Sequence, residues 1–255
     1  MKIRIEPLQI KDVHQIPKLI ESGMNKDIFP LTIFSTKGYE TYIKNVLTIP
    51  EKYRRVKIYG AFVNDHLAGF TEWRVLEGSL FLNNIYVYPE YRSFGIGKSL
   101  LVKHGYRLLD EYGKSKMSLD VFDNNTGAMC WYEKIGFVRK DSTFWYVGEQ
   151  PALVHSNCSY ECYIENYPNA EAEHMAYDFS MFTCSTRNGV YQIGKIRNQF
   201  YRLTNPNSIN DHDLLHCLNQ LDPKRKLLLL TCEIFSNQFN FTLSCKSNRM
   251  NLEVS

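Results

Sequence analysis

A mixed α/β (α+β) fold, with a central sheet and helices followed by a smaller α+β domain, is predicted by three observations on this sequence. Strand-like apolar runs broken by turn residues fill residues 56–88. Two amphipathic helical stretches then follow, each after a strand. Beyond Gln150 the pattern fragments, and six of the seven cysteines lie there.

The elements can be justified in order. Residues 2–6 alternate charged and aliphatic side chains, as a strand does. Val13, Ile16, Leu19 and Ile20 form an apolar helical stripe that stops at Gly23, with Pro17 obscuring where it starts. Residues 24–35 read as a loop and 37–47 as a helix. Strands at 56–63 and 67–75 flank Asn64-Asp65, a hairpin turn pair, and Gly78-Ser79 turns the chain into a strand at 80–88. A helix begins near Gly95. Met117, Leu119 and Val121 alternate as a strand, a helix ending at Gly136 follows, and Ser142–Val147 is the last strand of this part.

Composition narrows the function. The chain has 255 residues with 44% hydrophobic and 14% aromatic side chains, enough for an ordered core. Thirty basic residues against 27 acidic leave a net charge of +3, too little for a nucleic-acid-binding face. Lys224-Arg225-Lys226 reads as a solvated turn. No apolar stretch is long enough for a membrane span or a leader, so neither membrane nor nucleic acid is expected as partner, and a cytoplasmic location is. Seven irregularly spaced cysteines then read as reduced thiols.

The most informative segment is Val87-Tyr-Pro-Glu-Tyr-Arg92-Ser-Phe-Gly95-Ile-Gly97-Lys-Ser-Leu-Leu101. A strand enters a helix through a loop with two glycines and an arginine. First-turn N–H groups of a helix have no intrahelical partners, glycine lets an anion approach the backbone, and Arg92 adds charge-assisted bonds. The spacing is neither a Walker loop nor a dinucleotide fingerprint, because residue 100 is leucine. A second block follows: Met117-Ser-Leu-Asp120-Val-Phe-Asp-Asn-Asn125-Thr-Gly-Ala128-Met-Cys-Trp131-Tyr132-Glu-Lys-Ile-Gly136-Phe137.

Together the two blocks resemble the acyl-CoA signature of the GNAT acetyltransferase superfamily, nearest to the branch that acetylates protein N-termini or small amines. The resemblance covers residues 1 to about 148. It implies the GNAT fold, whose sheet is splayed between its fourth and fifth strands, here 80–88 and 117–122. It implies acetyl-CoA as co-substrate, with the backbone of Ile85, Tyr86 and Val87 pairing with the pantetheine arm and Arg92, Ser93, Phe94, Gly95, Ile96, Gly97 and Lys98 holding the diphosphate. Asn125 is expected near the pantetheine arm and the Tyr132 hydroxyl near the sulfur.

An amine acceptor, small molecule or protein, completes the expected reaction: direct attack on the thioester in a ternary complex. By the same resemblance Asp120 is the preferred base, with Glu72 and Glu77 in reserve and Asn83 and Asn84 to orient a water. Tyr132 suits the acid, since a phenol of pKa about 10 can protonate a thiolate whose conjugate pKa is about 8.5. The Val87 N–H would polarise the carbonyl. The rival is a non-catalytic acyl-CoA-binding sensor. Cys130 reads as a small core residue rather than a nucleophile.

A domain boundary is expected near 149, giving 1–148 as the acetyltransferase domain and 149–255 as an accessory α+β domain, a possible degenerate half-copy or a module that recognises a macromolecular acceptor. Within it, 189–203 reads as a strand or hairpin, 211–221 as a helix, and 227–234 and 239–245 as strands. His212 and His216 share a helix face and Cys158-x-x-x-Cys162 could supply two thiols, but the spacing fits no familiar zinc site, so no metal is expected.

Overall fold

The computed structural model describes residues 2–151, 160–234 and 240–254. The chain folds into two compact units. Met1–Asn25, Glu40–Asp141 and Asn248–Ser255 form the first; Lys26–Tyr39 and Ser142–Ser247 form the second. A single boundary near 149 is therefore corrected. Burial accounts for both exchanged segments: Leu31 and Ile33 pack with Ile196, Phe200, Leu228 and Leu230, while Met250 is buried among the apolar residues of the first unit.

In the first unit, β1 (Ile3–Pro7), β2 (Val56–Val63), β3 (His66–Val75) and β4 (Leu80–Val87) are antiparallel neighbours in that order. Asn64 and Asp65 both take positive φ, 47° and 65°, which matches the twist of a two-residue hairpin. Pro17 sits in the first turn of α1 (Ile16–Gly23), where its missing N–H is not needed, and α2 spans Tyr39–Thr48. From β4 the chain enters a helical run made of α3 (Ile96–Lys98), a π-helical turn (Ser99–Lys103) and α4 (His104–Glu111). It returns as β5 (Lys116–Phe122), parallel to β4. α5 (Thr126–Ile135) starts on an Asn125 cap and ends at Gly136, whose φ of 107° needs glycine.

The strand expected at 142–147 is longer, β6 (Val138–Gly148), and only its first residues belong to the first unit. Residues 248–253 lie next to β5, and the Val254 N–H donates to the Ser115 carbonyl at 2.7 Å. The core of this unit gathers Trp73, Leu80, Leu108, Met117, Leu119, Tyr132, Phe137 and Met250.

The second unit contains β7 (Cys162–Glu165), α6 (Tyr167–Tyr177), β8 (Phe179–Thr186), β9 (Val190–Ile196), β10 (Phe200–Leu203), α7 (His212–Leu221) and β11 (Lys226–Thr231). β7 to β10 form an antiparallel meander, and β11 returns parallel to β10. Beyond β11 come residues 142–148 of β6 and 241–247 of β12 (Phe241–Glu253). β7, α6 and β8 have no counterpart in the sequence expectation. Buried Phe182, Cys184, Tyr201, Leu214, Leu218, Leu227 and Leu229 make the core. Among the described residues no helix is long and apolar enough to cross a membrane.

Candidate active site

The parallel ladder between β4 and β5 runs only through Leu80↔Met117, Phe81↔Ser118 and Leu82↔Leu119. β4 itself continues against β3 as far as Val87↔Gly69, so from Asn83 onward it has β3 on one side and no β5 partner on the other. Backbone direction can be read from its neighbours. The Tyr88 N–H donates to Ala68 on β3 at 3.0 Å, and the Tyr86 carbonyl lies over Gly69. Alternation then turns the backbone groups of Ile85 and Val87 toward the opening. Of the three expected backbone contacts, Tyr86 is turned the other way, and it contributes its ring instead.

A β-bulge shifts the β3–β4 register between Glu72↔Asn84 and Trp73↔Leu82, leaving Asn83 as the extra residue. Adjacent strand residues normally point to opposite faces; the bulge lets both amides reach one carboxylate. Asn83 Nδ2 donates to Glu72 Oε1 at 2.9 Å and Asn84 Nδ2 to Oε2 at 2.7 Å, with Arg74 3.4 Å from Oε1. Glu72 is 2% exposed. A buried carboxylate thus sits where β4 parts from β5, held by neutral donors and one cation. Glu77 is exposed on the turn that follows β3.

At the far end of β4 the loop reaches the helix. Arg92, Ser93, Phe94 and Gly95 are exposed, while Ile96 is buried with Ala61, Val63, Ala68 and Leu100 and pins the loop to the sheet. Ser93 and Gly95 have φ of 66° and 78°. The first hydrogen bond of the run goes from the Ser99 N–H to the Gly95 carbonyl at 2.9 Å, and no side chain caps the helix. Ile96, Gly97 and Lys98 therefore present first-turn N–H groups at the helix mouth. A Cβ on Gly95 would meet nothing within 4 Å, and one on Gly97 would stand 3.5 Å from the Trp131 ring. Arg92 Nε donates to the Val87 carbonyl at 3.2 Å, which draws the guanidinium back over the strand end. An exposed, glycine-bordered N-terminus with an arginine beside it fits a diphosphate.

Tyr132 is buried on α5 beside Phe137, with ring centroids 5.8 Å apart. Burial, and then the neighbouring Tyr86 phenol, raise its pKa well above the ordinary tyrosine value, so it keeps its proton. Asn125 uses its side-chain oxygen to cap α5, accepting from the Ala128 N–H at 3.2 Å. Asp120 lies on β5 as expected, but Arg249 engages both its oxygens, one at 2.5 Å and the other at 2.9 Å. A carboxylate paired in that way is a weak proton acceptor. Sequence reasoning missed Arg249 because 129 residues separate the partners.

Cys130 is exposed, which corrects the core assignment. Two helix positions span about 200°, so burying Tyr132 turns Cys130 outward. In the second unit the expected set of His212, His216, Cys158 and Cys162 does not come together as such. Cys158 lies outside the described residues, His212 is exposed, and the His216 ring stacks on Tyr160 with centroids 3.9 Å apart. Cys162, Cys184 and Cys217 meet instead, their sulfurs all within 4.8 Å of one another.

Residues 26–137 match the family model described as Acetyltransferase (GNAT) family. The chain thus carries a GNAT acetyltransferase domain and is an acetyltransferase by family. It is similar to the spermidine N(1)-acetyltransferase of Thermoplasma acidophilum, 26% identical over 157 residues that cover 56% of this chain and 92% of that protein. It is also similar to the thialysine N-epsilon-acetyltransferase of Bos taurus, 29% identical over 119 residues covering 47% of this chain and 65% of that protein. The chain thus matches slightly less than two thirds of the bovine protein's length. A tandem GNAT protein from the clavulanic acid biosynthesis pathway superposes with a TM-score of 0.69 over 100% of this chain and 99% of that one, at 11% identity. That similarity is one of fold alone.

Proposed function

We propose that the first unit transfers an acetyl group from acetyl-CoA to a primary amine by direct attack in a ternary complex. The observation that carries the reading is the opening between β4 and β5, bounded by the free helix mouth at residues 92–98 at one end and by Tyr132 and the Glu72 cluster along it. Acetyl-CoA is the co-substrate of the family, and the relatives named for spermidine and for a lysine analogue support a flexible primary amine as acceptor.

Each residue has a chemical task. The backbone groups of Ile85 and Val87 hydrogen-bond the extended pantetheine arm as an added strand would, and the Val87 N–H binds the thioester oxygen as charge builds on it. Arg92 and the N–H groups of Ile96, Gly97 and Lys98 hold the diphosphate, while Ser93 and Phe94 border it. Asn125 fixes the start of α5 and thereby Tyr132. As the amine nitrogen bonds to the carbonyl carbon and the carbon–sulfur bond breaks, the Tyr132 hydroxyl gives its proton to the departing thiolate.

An ammonium must lose a proton first. Glu72, with Asn83 and Asn84 to place a water, suits that task better than Asp120, whose charge is committed to Arg249. Incubating the purified chain with acetyl-CoA and a panel of polyamines, lysine analogues and N-terminal peptides, with released thiol as readout, tests the proposal. Thiol release that depends on one amine class is expected. Coenzyme binding with no release for any amine would remove the transferase reading and leave the acyl-CoA sensor.

The second unit, by the same reasoning, is a silent copy of the first. It repeats an antiparallel meander, a helix and a parallel strand, but carries Asp211 at the helix start where the first unit has Gly95.

A further inference from the structure

Three of the chain's seven cysteines converge in the second unit although they are far apart in sequence. Cys162 lies on β7 and Cys184 on β8. The register pairs Cys162 with Thr186 and Ile164 with Cys184, so the two thiols are diagonal neighbours on one face of the sheet. That face is the inner one, where Cys184 is fully buried and packs with Leu214 and Leu218 of α7. Cys217, one turn of thought away from neither strand but borne on α7, closes the triangle from above.

All three sulfurs lie within 4.8 Å of one another, and all three are free thiols. A metal bonded to three thiolates at about 2.3 Å holds those sulfurs roughly 4 Å apart, so the triangle needs only a small contraction to close on an ion. Three sulfur donors with no carboxylate among them select a soft, thiophilic cation over calcium or magnesium. Simple core packing asks only for apolar volume at these positions. It gives no reason for thiols on three separate elements to point at a common centre.

We propose that Cys162, Cys184 and Cys217 form a binding site for a thiophilic d10 cation, with Zn2+ as the probe, that ties β7 and β8 to α7. Each thiol entering the site breaks its S–H bond, forms a sulfur–metal bond and gives its proton to solvent, with no change of oxidation state. The site lies in the second unit and is independent of acetyl transfer.

The test uses the full chain, reduced and freed of metal, then titrated with Zn2+ and in parallel with Cd2+. Expected are one equivalent bound, a sulfur-to-cadmium charge-transfer band, proton release and a rise in melting temperature. Cys184→Ser risks the fold, so the variants are Cys162→Ser and Cys217→Ser, both only half-buried. Each should weaken Zn2+ by more than the roughly 10–100-fold that loss of an outer partner of a metal site costs. Binding that survives both substitutions, no binding at micromolar Zn2+, or a disulfide between two of the three in place of metal would each overturn the site.

Discussion

The two units run through the same elements in their middle, yet differ at the one point where chemistry is expected. In the first, β4 leads through an exposed loop to a helix that starts on Gly95 with no side-chain cap, and the β4–β5 ladder breaks off at Leu82. In the second, Asp211 stands at the start of α7, 2% exposed, accepting from the Leu214 N–H at 3.1 Å and from the Thr186 hydroxyl at 2.6 Å. There the β10–β11 ladder pairs every residue of β10 up to Leu203. One helix mouth is open to an anion, and the other is filled by the chain's own carboxylate. A shared topology therefore carries no shared activity; a glycine or an aspartate at the helix start decides it.

Deleting residues 248–255 should break the comparison most severely. The first unit would lose the buried Met250, the Val254 hydrogen bond and the Arg249 partner of Asp120. A loss of at least about 3 kcal/mol is expected from the apolar burial and the hydrogen bonds together. Denaturant melts should show the first unit opening early, and an unchanged melt would refute its dependence on this segment.

Acid should weaken the same unit next. His104 is buried against the Tyr59 ring at 4.0 Å, and burial, then Arg107, lower its pKa from 6.5 to about 4. Because the folded state resists protonation, stability is complete above about pH 6.5 and declines as the pH falls to about 4. The total is on the order of 3 kcal/mol. The decline should be smaller in His104→Asn; an identical decline in both proteins would assign it to other groups.

Tyr132→Phe should lower kcat about 100-fold with little change in the KM for acetyl-CoA. Equal turnover would end the acid role. Asp211→Ala removes a helix cap and strands the Thr186 hydroxyl, so about 2 kcal/mol of stability should go while catalysis is untouched. Lost catalysis in that variant would mean the second unit is not silent. Arg92→Ala has the smallest expected effect, a rise of about tenfold in the KM for acetyl-CoA, since the guanidinium is exposed. An unchanged KM would take the diphosphate away from this loop.

Features set by a few adjacent residues were legible in the sequence. Asn64-Asp65, the Arg92–Gly97 loop, the Asn125 cap and the Gly136 stop each need particular residue types for local reasons, and each lies where the pattern puts it. Features set by distant contacts were not. Alternation identifies a strand near residue 245 but not its partner, so the return of residues 248–254 to β5 was hidden, and Arg249 with it. α6 buries only Ala170 and His174, too few to show a periodic stripe. The bulge at Asn83 gave Glu72 its partners without leaving a signal in composition. Cys162, Cys184 and Cys217 were visible only as scattered thiols until β7, β8 and α7 brought them together.

The return of residues 248–254 to β5 also sets an order of events during translation. More than a hundred residues must be made after β6 begins before the edge of β5 receives its neighbour, and at about 5–20 residues per second this takes several seconds. Until then the nascent acetyltransferase domain displays an open strand edge and an apolar hollow where Met250 will sit. That interval is when a holdase chaperone would find this polypeptide.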